Sequence, residues 1–285
     1  MLNKINSLIF RIITKVPRTF YSLFKLRPDS YPYISGDGFR KMADHIYDET
    51  KKCHASDITD GQIIFLNTDL IQEWFINIHP KITAKYKLIT HNSDRNIGEK
   101  ETTYVDNKIV RWFAQNVIVN HPKITPIPIG LENKRLFYNS IPSLIARTIR
   151  TKVERRDKIL LGVNINTNPK ERQAAFDSLI KNKSVEKIDG FPTPNIYIKI
   201  LNQYKFVASP PGNGTDCHRT WVALYLGVIP VVKESVGMTY FKNLGLPIYI
   251  VPNYDNVDIL KYQQINSNTE ALEMNYWINK IKNEA

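Results

Sequence analysis

The chain has 285 residues, enough for one large core or two modest ones, and 42% hydrophobic against 23% charged residues excludes a disordered polypeptide. A formal net charge of +12 asks for a partner: nucleic acid, an anionic membrane surface or a phosphorylated substrate. Two cysteines, Cys53 and Cys217, far apart and without metal-ligand spacing, exclude a disulfide scaffold and favour a reducing cytoplasm.

Residues 1–27 place Leu2, Ile5, Leu8, Ile9, Ile12, Ile13 and Val16 at helical spacing, with Lys4, Arg11 and Lys15 between them. This is a basic amphipathic helix. Arg11 interrupts it too early for a membrane span, and no small-residue cleavage site follows. Two placements fit: the interface of an anionic inner leaflet, or the surface of the protein's own core. Pro28 to Pro32 breaks the pattern and opens a first domain, residues 28–145.

Asp37, in Ser35-Gly36-Asp37-Gly38, is expected to cap a helix whose apolar side carries Met42, Ala43, Ile46 and Tyr47. Gly61 to Asn67 (GQIIFLN) reads as a strand, and Lys87-Leu88-Ile89-Thr90 as another. Ligands of open α/β sheets bind beyond the carboxyl ends of the strands, so Asp69, His91 and Asp94 stand where chemistry would occur. Val117 to Val119 and Ile124 to Gly130 read as two further strands. Strands alternating with helical stretches predict a mainly parallel sheet.

The basic stretch 132–156 is expected to hold the linker, with a second domain over 146–265. That domain opens with a strand from Lys158 to Val163 and a polar loop ending at Arg172. A helix is expected between Pro192 and Tyr204, a last strand over Ile248 to Val251, and an amphipathic tail within 266–285.

The most informative stretch is Tyr204 to Glu234. Phe206-Val207-Ala208 is a strand that stops at Pro210-Pro211. Gly212-Asn213-Gly214 lets the backbone take positive φ or approach a ligand, and Thr215 or Asp216 is placed to cap the next helix. Trp221 to Leu226 is apolar all round, Gly227 ends the helix, and Val228 to Val232 is a strand in which Pro230 implies an edge, an end or a bulge. Glycines at a strand-to-helix turn aim N–H groups at an anion, and His218 and Arg219 in the first helical turn oppose the helix dipole unless something negative meets them.

The run FVASPPGNGTDCHRTWVALYLGVIPVV resembles the donor-side motif of exostosin-like glycosyltransferases over roughly thirty residues. The resemblance implies a GT-B fold of two facing Rossmann-like domains, with a terminal helix within 266–285 packed back across the first. It implies a nucleotide-sugar donor whose diphosphate is surrounded by Gly212, Asn213, Gly214, Asp216, His218, Arg219 and Thr220, with Arg172 added from the polar loop and no metal required. For an inverting reaction the acceptor hydroxyl would lose its proton to a first-domain group, with Asp94, His91 and Asp37 the candidates in that order. The acceptor would be a glycan or lipid-linked sugar of surface polysaccharide biosynthesis, met in the cytoplasm or at the inner face of a membrane. One position departs: the family's ribose-binding Glu is replaced by Val222. That departure defines an alternative, a non-catalytic glycan- or nucleotide-binding member. A basic nucleic-acid-binding protein is the other alternative, though the basic residues are spread out and form no zinc or RNA-recognition signature, so nucleic acid is not an expected partner.

Overall fold

Among the described residues, ten short strands, nearly all rich in Ile, Val, Leu and aromatic residues, sort themselves into two parallel sheets of five. The computed structural model describes residues 2–136, 141–190, 192–255, 257–263 and 267–284, with the backbone alone for residues 2–11 and 13. The first sheet runs in chain order: β1 (His45–Tyr47), β2 (Ile63–Asn67), β3 (Tyr86–His91), β4 (Ile109–Ala114) and β5 (Ile124–Pro126). The second contains β6 (Arg156–Leu161), β7 (Val185–Lys187), β8 (Tyr204–Ala208), β9 (Ile229–Lys233) and β10 (Tyr249–Val251), in the order β10-β9-β8-β6-β7. The chain passes from β6 to β7 on one side, then crosses to β8 on the other. The strand order therefore reverses between β6 and β8, and a crevice opens beyond their carboxyl ends.

The helices are α1 (Leu2–Leu23), α2 (Gly36–Met42), α3 (Ile71–Glu73), α4 (Glu99–Thr102), α5 (Pro142–Ile149), α6 (Pro169–Leu179), α7 (Pro194–Leu201), α8 (His218–Tyr225), α9 (Val236–Asn243) and α10 (Met274–Asn283). One apolar core joins the two sheets: Phe65, Ile89 and Phe113 of the first pack in the same cluster as Val232 of the second, with Phe39 of α2, Trp221 and Leu224 of α8 and Phe241 of α9. Met274, Trp277 and Ile281 of α10 belong to it, and Trp277 is fully buried with its indole N–H donated to the Ala271 carbonyl at 3.0 Å. Lys87, on β3, donates its ammonium to the carbonyls of Ile281 and Lys282 at 3.0 and 2.8 Å. A cation thus satisfies carbonyls that the last turn of a helix leaves open.

Several local expectations are corrected. Ser35, not Asp37, caps α2, accepting from the Gly38 amide, because its extended backbone aims the hydroxyl at that amide. Ile46 and Tyr47 lie on β1 rather than on the helix, which ends at Met42. Val117 to Val119 forms no strand; only an isolated bridge joins Val117 to Ile97. The strand before it is β4, whose Ile-Val-Arg-Trp-Phe-Ala run hides its periodicity behind Arg111. The stretch 132–156 carries helix α5. Pro230, by contrast, stands at a strand end as expected: β9 pairs there with β8, and pairing with β10 begins only at Val231.

Candidate functional site

The crevice between β6 and β8 is a cavity of about 730 Å³. Its floor and walls come from the segment after β6 (Gly162, Val163, Asn164), the turn after β8 (Gly212 to Cys217), the first turns of α8 and residues near α7. Asp94 and Ile129 close it from the first domain.

Neither glycine of the turn adopts a positive φ; crowding demands glycine at Gly214 and leaves Gly212 with little room. A Cβ on Gly214 would lie 2.4 Å from the Asn116 side chain, and one on Gly212 would lie 3.3 Å from Nη2 of Arg172. Asn116 is itself in the left-handed region at φ 56, and its Oδ1 accepts the Asp216 amide at 3.0 Å. The first domain therefore presses directly on the turn. Asn213 reaches back the other way, donating Nδ2 to Oδ2 of Asp94 at 3.0 Å.

Arg172, in the first turn of α6, is buried rather than solvated. Its Nε donates to the Pro211 carbonyl and its Nη1 to the Asn164 carbonyl, each at 2.9 Å. The guanidinium ties together the two loops that frame the cavity. Burial, then the neighbouring Arg219 guanidinium, lowers its pKa. Arg219 follows His218 at the start of α8, and its Nη1 is buried without a hydrogen bond. Beside it lies the buried Tyr197 hydroxyl; burial raises its pKa, and the Arg219 guanidinium works against that rise. Among the described residues neither arginine forms an ion pair; Glu171, close in sequence, is held by Lys233 at 2.8 Å. Two guanidinium groups and the amino end of a helix converge on one cavity, and among the described residues no carboxylate is paired with either guanidinium. That is the electrostatics of an anion site.

The remaining expected ligands divide. His218 lines the cavity and its Nδ1 meets the Gly130 carbonyl at 2.8 Å. Thr220 is buried and shares a hydrogen bond with Ser209 at 2.9 Å, so its hydroxyl serves the core instead of a ligand. Asp216 is a pin between the domains: Oδ2 accepts the Ile129 amide at 2.8 Å, and both oxygens accept the Trp221 indole N–H at 2.9 Å. Neither Thr215 nor Asp216 caps α8, whose cap residue is Cys217 with no side-chain bond. Val222, one turn along from Arg219, forms part of the cavity wall and presents only methyl groups.

Of the three base candidates only Asp94 borders the cavity. His91 is buried with both ring nitrogens engaged, Nε2 at 3.1 Å from the Pro128 carbonyl and Nδ1 at 2.7 Å from the Asn92 amide. Burial pushes its pKa down to about 4. Asp37 is buried under Arg27 at 3.0 Å and Arg135 at 3.2 Å. Both are structural posts of the first domain, not groups facing the crevice. Tyr197, Asn116 and Ile129 were not singled out in the sequence; the polar Gln115-Asn116 pair after β4 repeats the pattern that follows β2 and β3, and would have marked Asn116.

Two five-stranded parallel sheets flanked by helices, with a crevice at the carboxyl ends of the second, define an α/β architecture of two Rossmann-like units. No protein-family model matches the chain. No curated protein matches it either. Among solved structures, it is similar to spinosyn rhamnosyltransferase SpnG complexed with thymidine diphosphate, at 10% identity and a TM-score of 0.33, covering 78% of this chain and 68% of that one.

Proposed function

We propose that the chain is a nucleotide-sugar-dependent glycosyltransferase acting on a glycan or lipid-linked acceptor, with the donor diphosphate held between the Gly212–Gly214 turn, Arg219 and Arg172. The observation that carries this reading is the pair of arginines, Arg172 of α6 and Arg219 at the amino end of α8, that line one cavity with no ion pair among the described residues, Arg219 with a buried, unsatisfied Nη1. In an inverting transfer Asp94 takes the proton of the acceptor hydroxyl as its oxygen bonds to the anomeric carbon. The bond from that carbon to the diphosphate oxygen breaks, and its electron pair leaves on the diphosphate. Arg219, Arg172 and the α8 amides hold the charge that develops, without a metal.

Replacing Arg219 by Ala should weaken nucleoside diphosphate binding by about 1.5–3 kcal/mol, the usual worth of a hydrogen bond to a charged group. Arg219→Lys should recover only part, because an ammonium cannot reproduce paired donors. Titration calorimetry across a panel of nucleoside diphosphates reads both. Unchanged affinity in Arg219→Ala would place the anion elsewhere.

The second reading, a binding protein without transfer activity, is favoured by Val222, whose methyl groups cannot accept a bond from a ribose hydroxyl. Binding of a nucleotide-sugar with no turnover on any acceptor would establish it. If the ribose lies beside that wall, Val222→Glu should lower the stability of the free protein by about 1–3 kcal/mol, the cost of burying a polar group without a partner. Saturating nucleotide should restore it. Thermal melts with and without nucleotide make the comparison.

A further inference from the structure

Helix α1 is mounted the wrong way round for a helix that packs on its own protein. Ile12, Val16, Phe20, Leu23 and Phe24 fall on one side of it and are 50–73% exposed, while the opposite side buries Thr14 and half-buries Tyr21. The apolar side faces outward. Phe20 and Phe24 lie ring against ring at 4.8 Å, and Leu26 extends the exposed patch past the helix end. Lys15 and Arg18 are exposed between this stripe and the side of the helix that carries Thr14 and approaches Leu136, and Lys25 is exposed just past the helix end. Beyond it, Arg27 is paired with Asp37, Asp48 and Glu49, which fixes the segment to the first domain.

We infer that this stripe docks on an anionic lipid bilayer, lying in its interface. Among the described residues no helix is long and apolar enough to cross a membrane, so α1 would lie on the surface and not span it. Charge selects the occupant. A basic flank beside an apolar stripe, on a chain of net charge +12, complements anionic headgroups over a hydrocarbon boundary. A second copy of the chain would bring like charges together, because pairing two stripes also pairs two basic flanks. Arg27 ties the end of this segment to Asp37, which also accepts from Nδ2 of Asn92 at 3.4 Å, two residues before Asp94.

The test is co-sedimentation of the full chain with vesicles of phosphatidylcholine alone or mixed with phosphatidylglycerol. Binding is expected to the mixed vesicles, weakening as salt rises, and not to phosphatidylcholine alone. Val16→Ser with Phe20→Ser should lower partition about tenfold or more, since it removes buried hydrocarbon. Lys15→Glu with Arg18→Glu should weaken it by removing attraction. Nucleoside diphosphate affinity, measured on the same samples, should stay at the wild-type value; this confirms folding and keeps the result separate from the donor-site reading. Failure of the wild-type chain to bind the mixed vesicles overturns the inference, as does full binding by the serine pair. A concentration-dependent dimer that the serine pair dissociates, with no vesicle binding, also overturns it and assigns the stripe to a second copy.

Discussion

Asp94→Asn should lower sugar transfer by about 10²–10⁴-fold, the usual contribution of a positioned base, while leaving nucleotide affinity in place. Among the described residues lining the crevice, Asp94 and Asp216 carry the carboxylates, and Asp216 is consumed by the Ile129 and Trp221 N–H groups. Asp94 is exposed, enters from the first domain and has one oxygen bonded to Asn213; the other accepts no hydrogen bond among the described residues. An asparagine keeps an oxygen for Asn213 but cannot take a proton, so binding and chemistry separate in this variant. Single-turnover transfer and calorimetry on the same protein read the two quantities. Transfer at the wild-type rate would remove Asp94 from the reaction, and with it the inverting mechanism written above.

How much of this was visible in the residues follows from where each signal resides. The β8-turn-α8 unit could be read because its signals are local: a β-branched run, two prolines, two glycines, then an apolar helix closed by Gly227, which indeed takes φ +68. Gly212 and Gly214 do not take the positive φ that the glycine pattern suggests, and the crowding at Gly214 comes from Asn116, some hundred residues away in sequence. The base candidates show the same limit. Asp37, His91 and Asp94 all sit at or near strand or helix ends, which is as far as periodicity goes. Only the tertiary partners, two arginines over Asp37 and the Pro128 carbonyl against His91, decide which side chain is left facing the crevice. β4 escaped because one charged residue, Arg111, broke its alternation; in the structure its Nη1 reaches the Pro122 carbonyl at 2.6 Å. Long-range neighbours, not local pattern, separate posts from ligands.

Two buried groups, Asp216 and His91, should set the pH response of the fold, in opposite directions. Burial raises the Asp216 carboxyl to about 7, against the pull of the Ile129, Trp221 and Cys217 N–H groups. A group raised in the folded state contributes stability that is complete below its unfolded value and is lost as pH climbs through the folded value. Asp216 therefore favours acid, losing its contribution between its ordinary 3.8 and about 7. His91 is the reverse: burial lowers it from 6.5 to about 4, so its contribution is present above 6.5 and is lost as pH falls toward 4. Each slope has a ceiling of roughly 1.4 kcal/mol per pH unit, and over the shared window they offset one another. Asp216→Asn should leave His91 alone, giving stability that rises with pH across that window. His91→Gln should leave Asp216 alone, giving stability that falls. Asp216→Ala should in addition cost about 2–4 kcal/mol at every pH, because it strands two buried N–H donors and releases the pin between the domains. Urea denaturation of the three variants and the wild type, repeated at about pH 5 and about pH 7, gives the slopes; variants that tilt no differently from the wild type would mean that neither group titrates inside the folded protein in this range.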